Sequence, residues 1–235
     1  MDSHDEQQRQ HYARLAADFD VRQRRDNRNH RLKIEAIARH LQLRDGDCCL
    51  EVGVGTGIHA EYLLDHFAVT LAVVDLSPEM LRVSRERLGE RALPVAANAA
   101  RLPFPDATFD AVYGNGFLHH VADPAAVLGE MARVLRPGGR LAITEPNRVF
   151  PTNIKAWLTM PEERHMRQMC PANLTRWARG AALADVSCQP LPVYTPPFPR
   201  SLERVFDALD GAVSHIPLLR ACSIMLLLTA TGRPA

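Results

Sequence analysis

Between Cys48 and Glu145 the apolar positions of the chain switch repeatedly between two periods. Short apolar runs at Cys48–Val52, Val69–Val74, Leu93–Ala97, Phe109–Tyr113 and Arg140–Thr144 predict strands. The Val69–Val74 run is apolar almost throughout, as a strand covered on both faces should be. Helical spacing appears between these runs. Ile34, Ile37, Ala38 and Leu41 form a stripe before the first strand, Ile58–His66 reads as a helix after it, and Leu128, Met131, Ala132 and Leu135 form a stripe before the fifth. Ser77–Pro78–Glu79 and Asp123–Pro124 are helix starts, a capping side chain followed by a proline whose missing N–H costs nothing there. Arg136–Pro137–Gly138–Gly139 is expected to stop the preceding helix. Regular alternation of strand and helix predicts a parallel sheet with helices on both faces.

Beyond Glu145 the pattern loosens. Ile154–Met160 and Ala172–Leu183 read as helices, and Val186–Tyr194 and Cys222–Ala230 as strands. Between those strands, a proline cluster (Pro192, Pro196, Pro197, Pro199) precedes an amphipathic helix with Leu202, Val205, Phe206, Leu209, Val213 and Ile216 on one face. The organisation expected is a single α/β domain: N-terminal helices over 1–46, a core over 47–147, and a C-terminal part over 148–235 that completes the sheet and carries a helical cover.

Composition narrows the function classes. A chain of 235 residues with 46% hydrophobic content can bury one sizeable core. The formal charge of +1 supplies no basic field, so no nucleic-acid partner is expected. No apolar run approaches the ~20 residues of a membrane span, and Met1–Arg9 is too polar for a signal peptide. Five cysteines without metal-ligand spacing suit a reduced, cytoplasmic protein with no bound metal.

The chemistry gathers at strand ends. Leu50–Ile58 carries Gly53, Gly55 and Gly57 at alternate positions between a strand and a helix. Such a turn lets a nucleotide-like ligand lie against bare backbone. Asp75 ends the second strand, where a carboxylate can accept both hydroxyls of a ribose. Asn98–Phe104 follows the third strand, where a flat base would be sandwiched, and Gly114–Asn115–Gly116 follows the fourth. All four fall on the rim where open α/β sheets bind ligands.

As a set, LEVGVGTG, Asp75, LPFPDATFD (Leu102–Asp110), FLHHV (Phe117–Val121) and RPGG (Arg136–Gly139) resemble the class I S-adenosylmethionine-dependent methyltransferases, most closely their type 11 small-molecule branch. The resemblance covers roughly Cys48 to Glu145. It implies a Rossmann-like seven-stranded sheet with its last strand antiparallel, and methyl transfer from S-adenosylmethionine to O, N or C of a small acceptor such as a secondary metabolite, lipid-like precursor or quinone-type ring. It places Gly53, Gly55 and Gly57 under the methionine part, Asp75 on the ribose, Leu76 and Leu102 beside the adenine and Asn98 at its amino group. Glu51, Thr56, Ala99 and Asn115 complete the implied cofactor set, with Tyr12 as a lid. Relatives carry an aspartate at Asn98, so weaker cofactor binding is expected here; Gly180–Leu183 also departs from the pattern, with consequences for packing alone.

Dinucleotide oxidoreductases share the loop and the acid, but their fingerprint is G-x-G-x-x-G, and Ile58 stands where the third glycine belongs. A binding protein without turnover is the other alternative. His119, His120 and Glu145 are the base or substrate-orienting candidates by position, each with a purely structural role as the competing reading. The segment Pro196–Pro217 is expected to cover a hydrophobic acceptor, to pair with a second subunit, or simply to pack on the core.

Overall fold

The computed structural model describes residues 6–10, 27–191, 203–216 and 221–234. Seven strands form one sheet in the order β3-β2-β1-β4-β5-β7-β6. They are β1 (Cys48–Val52), β2 (Thr70–Asp75), β3 (Ala92–Ala96), β4 (Phe109–Asn115), β5 (Leu135–Pro146), β6 (Ala184–Leu191) and β7 (Met225–Thr231). The pairings among β1 to β5 are parallel, and β7 runs antiparallel to both β5 and β6. The helices are α1 (Asn27–Leu41), α2 (Ile58–His66), α3 (Pro78–Leu88), α4 (Pro124–Val134), α5 (Pro151–Thr159), α6 (Pro171–Gly180) and α7 (Glu203–Ser214). Strand order reverses between β1 and β4, which opens a crevice at their C-terminal ends.

Both sheet faces are buried. Leu50, Val52 and Val74 pack on one side with Leu128, Met131 and Leu174 from α4 and α6. Cys49, Leu71 and Val73 pack on the other with Ile34, Ile37, Leu63 and Leu81 from α1, α2 and α3. Successive strand residues point to opposite faces, so a strand buried on both sides reads as an unbroken apolar run. The two predicted caps are present: Ser77 Oγ accepts the Met80 N–H at 3.2 Å, and Asp123 Oδ1 accepts those of Ala125 and Ala126.

Two boundaries differ from the sequence pattern. The helix before Arg136–Gly139 does end, at Val134, but the run belongs to β5, which starts at Leu135 rather than Arg140 and has an irregularity there in its pairing with β4. Gly232, just beyond β7, exchanges backbone hydrogen bonds with Gly138 and Gly139 and draws the segment into the sheet. The final strand starts at Met225, not Cys222, because Asn147 and Asn153 side chains hold the carbonyls of Ala221 and Ile224 at 2.9 Å and keep that stretch a loop. The five cysteines are free thiols. No helix among the described residues is long and apolar enough to cross a membrane.

The cover helix α7 is pinned to α1 by a buried ion pair, Arg28 to Asp210 at 2.7 Å. Its expected apolar face is only partly used, since Val205 and Ile216 are 55% and 49% exposed. The proline cluster, and the side chains of Leu202, Phe206 and Leu209, lie outside the described residues.

One polar pair sits within the sheet. Glu51 on β1 is 1% exposed and its Oε2 accepts the Tyr113 hydroxyl of β4 at 3.0 Å. Burial, with a smaller contribution from the charge of Asp75, pushes Glu51 up from 4.5 to about 8, against the lowering effect of the Tyr113 bond. The folded state therefore keeps a proton that the unfolded chain releases above the ordinary value, and stability falls as pH rises across that window. Glu51→Gln cannot titrate. Denaturant melts at a series of pH values should show a flatter decline between 4.5 and about 8 than in the parent, by up to about 1.4 kcal/mol per pH unit. Identical slopes would mean that Glu51 is ionised in the fold.

Candidate active site

The C-terminal ends of β1 to β5 surround a cavity of about 390 Å³, within the range of small-ligand sites. The glycine turn forms its floor. Gly53 and Val54 N–H groups both bond to Val74 O, at 2.8 and 3.0 Å, so the turn folds back over the end of β2. Gly53, Gly55 and Gly57 all have positive φ (73, 55 and 81°), a region that other residues enter only with strain. A Cβ on Gly55 would project into open space, whereas one on Gly53 would meet Phe117 at 2.5 Å. Gly57 faces away from the cavity and lets α2 approach Ser84 and Leu88 of α3.

Asp75 organises the next wall. Its Oδ2 accepts the Gly55 N–H at 2.8 Å and its Oδ1 that of Ser77 at 2.9 Å. Each oxygen keeps capacity for a further donor, which suits a vicinal diol. Burial pushes its pKa up even though these backbone bonds pull it down. After β3, Asn98 Oδ1 accepts the Ala100 N–H at 2.8 Å and shapes the loop. Glu130 and Arg133 of α4 hold that loop from below through Leu102 N, Leu102 O and Phe104 O. Asn98 and Ala99 remain on the cavity wall as a shelf for a flat ring.

The turn after β4 closes the far end. Phe117 lies against Gly53 and Gly114, where Cβ atoms would come within 2.5 and 2.4 Å of its side chain. Glu145, at the end of β5 and 0% exposed, gathers the turn. Its Oε1 accepts the N–H groups of Phe117 (3.0 Å) and Leu118 (2.8 Å), and its Oε2 meets the His119 N–H (3.3 Å) and ring Nδ1 (2.7 Å). His119 Nε2 lies 3.4 Å from Glu163 Oε2 on the short helical segment Pro161–Gln168. Burial alone would lower His119, but the carboxylates of Glu145 and Glu163 outweigh it and hold the ring up at about 9. The His120 ring packs against that of His119, with centroids 3.8 Å apart and planes tilted by 44°, and lines the cavity.

The structure brings together most of the expected residues. Gly53, Gly55, Thr56, Asp75, Leu76, Asn98, Ala99, Asn115, His119 and His120 all line the cavity. Four expected residues do not. Glu51 turns to Tyr113 inside the sheet, Gly57 serves helix packing, Leu102 is buried in the core beneath its loop, and Glu145 is consumed by the turn it holds. For Glu145 the geometry matches the competing structural reading: its oxygens are covered by four donor contacts and it does not line the cavity. Tyr12 lies outside the described residues.

Other lining residues escaped the sequence reading: Gln8, Arg9, His30, Lys33, His59 and Glu163. His30 Nδ1 and His59 Nε2 meet at 3.2 Å, and burial lowers both rings, His30 to about 3, so the pair stays neutral. His59 follows the glycine turn directly, but no pattern in the chain links it to His30. His119, His120 and Glu163 also bring potential ligand atoms within 4.8 Å of one another, the composition of a cation site. Both His119 nitrogens, however, already face carboxylates. Thr56 Oγ1 is buried at the cavity wall with no hydrogen-bond partner among the described residues. That orphan hydroxyl, the bare face of Gly55, the acceptors on Asp75 and the Asn98–Ala99 shelf fit a nucleoside carrying a polar chain.

Comparison with known proteins agrees with this geometry. A family model described as a methyltransferase domain matches residues 50–143. The 27-O-demethylrifamycin SV methyltransferase of Amycolatopsis mediterranei (strain S699) is 30% identical over 192 residues, which cover 77% of this chain and 71% of the relative. A demethylmenaquinone methyltransferase of Corynebacterium urealyticum (strain ATCC 43042 / DSM 7109) is 41% identical over 116 residues, about half of each chain (49% and 48%). Among solved structures, a complex of the Haloferax volcanii Trm112 methyltransferase activator with a methyltransferase superposes with a TM-score of 0.71 at 21% identity, over 94% of this chain and 97% of that one; this likeness speaks to the fold. With sheet order, glycine turn, strand-end acid and relatives all in agreement, the chain belongs to the class I S-adenosylmethionine-dependent methyltransferases.

Proposed function

We propose that this enzyme methylates a hydroxyl oxygen on a small, largely apolar acceptor. The observation that carries the reading is the His119–His120 turn, set at the cavity end beside the apolar walls of Phe117, Val121, Pro146 and Met225. S-adenosylmethionine supplies an electrophilic methyl group, so the protein's task is to align an acceptor and remove its proton. The region 47–147 provides the cofactor side. Gly53, Gly55 and Thr56 would hold the methionine part, Asp75 the ribose hydroxyls, and Leu76, Asn98 and Ala99 the adenine, with Asn115 beside them. The Asn98 carbonyl already accepts the Ala100 N–H, which leaves it weaker than a carboxylate for a second donor. The region 148–235 supplies the acceptor side through Glu163 and Met225.

An acceptor hydroxyl gains from a base by roughly 10²–10⁴ in rate, and holding the reacting atoms together contributes on the order of 7–11 kcal/mol. His120 is the side chain placed to take that proton. Apolar walls exclude water and favour a ring or a polyketide-like surface, in keeping with relatives named for demethylrifamycin and demethylmenaquinone. Transfer to a ring carbon is the second reading, favoured by the demethylmenaquinone relative.

Calorimetry with S-adenosylhomocysteine tests the cofactor side; no binding by the pure protein would sink the reading. Asp75→Ala should weaken that binding more than about tenfold, as for losing charge-assisted bonds of about 1.5–3 kcal/mol each. His120→Ala should lower kcat by about 10²-fold or more with the melting temperature unchanged. Glu145→Gln should instead lower the melting temperature, because its amide turns a donor toward buried donors at a cost of about 1–3 kcal/mol. Loss of activity without loss of stability in Glu145→Gln would restore it as a base. Cofactor binding with no turnover across hydroxyl, amine and carbon acceptors would favour a binding protein.

A further inference from the structure

We propose that Glu163 is a positioning residue for methyl transfer: from the Pro161–Gln168 segment it clamps His119 against Glu145 as a fixed cation, and so leaves His120 as the side chain that meets the acceptor. The inference rests on the transferase reading above and adds to it a residue from outside the family's motifs.

The tautomers carry the argument. Glu145 Oε2 lies 2.7 Å from His119 Nδ1, and a carboxylate oxygen accepts, so Nδ1 carries a hydrogen. In the neutral ring, Nε2 would then present a lone pair. Yet Nε2 faces Glu163 Oε2 at 3.4 Å, and Oε2 is itself buried. Lone pair against lone pair in a buried site is repulsive; a proton on Nε2 turns the same contact into an attraction between imidazolium and carboxylate. With both nitrogens protonated, one hydrogen-bonded to Glu145 and the other paired by charge with Glu163, His119 has no lone pair left to accept a proton from any acceptor.

The turn that carries His119 packs against β5, the Pro161–Gln168 segment and α4, and the charged groups that face the ring come from the first two. Glu145 belongs to β5, Glu163 to Pro161–Gln168, and His120 to the same turn, its ring 3.8 Å away. His165, from the same segment as Glu163, reaches Val121 O at 3.5 Å on the other side of the turn. The Pro161–Gln168 segment thus contacts the Phe117–Val121 turn at both His119 and Val121. A cation site built on His119, His120 and Glu163 is the competing use of these atoms, and it needs the Nε2 position that the proton takes.

Glu163→Gln keeps size and shape while removing the charge, and Glu163→Asp keeps the charge on a shorter arm. Histidine-labelled full-length protein, titrated by nitrogen NMR, should show His119 holding both protons to about pH 9 in the parent. In Glu163→Gln its titration should move down by about one pH unit or more. Steady-state kinetics should show a kcat about tenfold lower in Glu163→Gln, partial rescue in Glu163→Asp, and unchanged S-adenosylhomocysteine affinity in both. An unmoved His119 titration, or parental kcat in Glu163→Gln, overturns the clamp. Retention of one equivalent of divalent metal by the purified parent and its loss in Glu163→Gln overturn it as well, in favour of a cation site. The NMR arm needs no cofactor or acceptor, so it can fail while the transferase reading stands; absent cofactor binding by the parent would strike that reading alone.

Discussion

The turn after β4, at the far end of the cavity, is folded around one carboxylate. Glu145 ends β5 with its side chain sealed from water and answers three successive backbone N–H groups, from Phe117, Leu118 and His119, as well as the His119 ring. Those amides open the turn after β4 and would otherwise be buried without partners, at a cost of about 1–3 kcal/mol each. A charged acceptor set among N–H groups acts as a template: it fixes where the two histidines stand relative to the glycine turn. Asp75 does the corresponding work at β2, joining Gly55 to Ser77. Two strand-end acids thereby set the shape of the cavity before any ligand arrives.

What the chain disclosed and what it hid divide along physical lines. Features written in local pattern were legible: strand runs, the caps at Ser77 and Asp123, the glycine turn, and Asp75 at its strand end. Features that depend on where a side chain turns after the backbone is fixed were not. Glu51 and Leu102 sit within the right motifs, yet strand alternation sends one to Tyr113 and loop packing sends the other into the core. Glu145 was legible in position but not in use, since its donors lie more than twenty residues earlier in the chain. Glu163, His30 and Lys33 left no signal, because α1 and the Pro161–Gln168 segment reach the cavity only through tertiary packing. The Arg136–Gly139 run does end α4, but its place in β5 was hidden because it depends on Gly232, a partner nearly a hundred residues on.

Charge is distributed unevenly along the cavity. The end beside the glycine turn holds a neutral histidine pair with Lys33 close by, while the reacting end holds two carboxylates about one imidazole. Burial decides the first case and paired charge the second. The same residue type therefore does opposite electrostatic work at the two ends of a single pocket.

Phe117 ties these parts together sterically. Its ring occupies the space that side chains on Gly53 and Gly114 would need, and those glycines belong to the first and fourth strand ends respectively. The three positions consequently pack as one steric unit. A smaller residue at 117 alone frees neither glycine, since Gly53 has a φ of 73° and a Cβ on Gly114 would also meet the Val52 carbonyl at 2.8 Å, but it does enlarge that end of the cavity. Room at that end of the cavity is thus to be gained at position 117, while the two glycines stay fixed by backbone geometry.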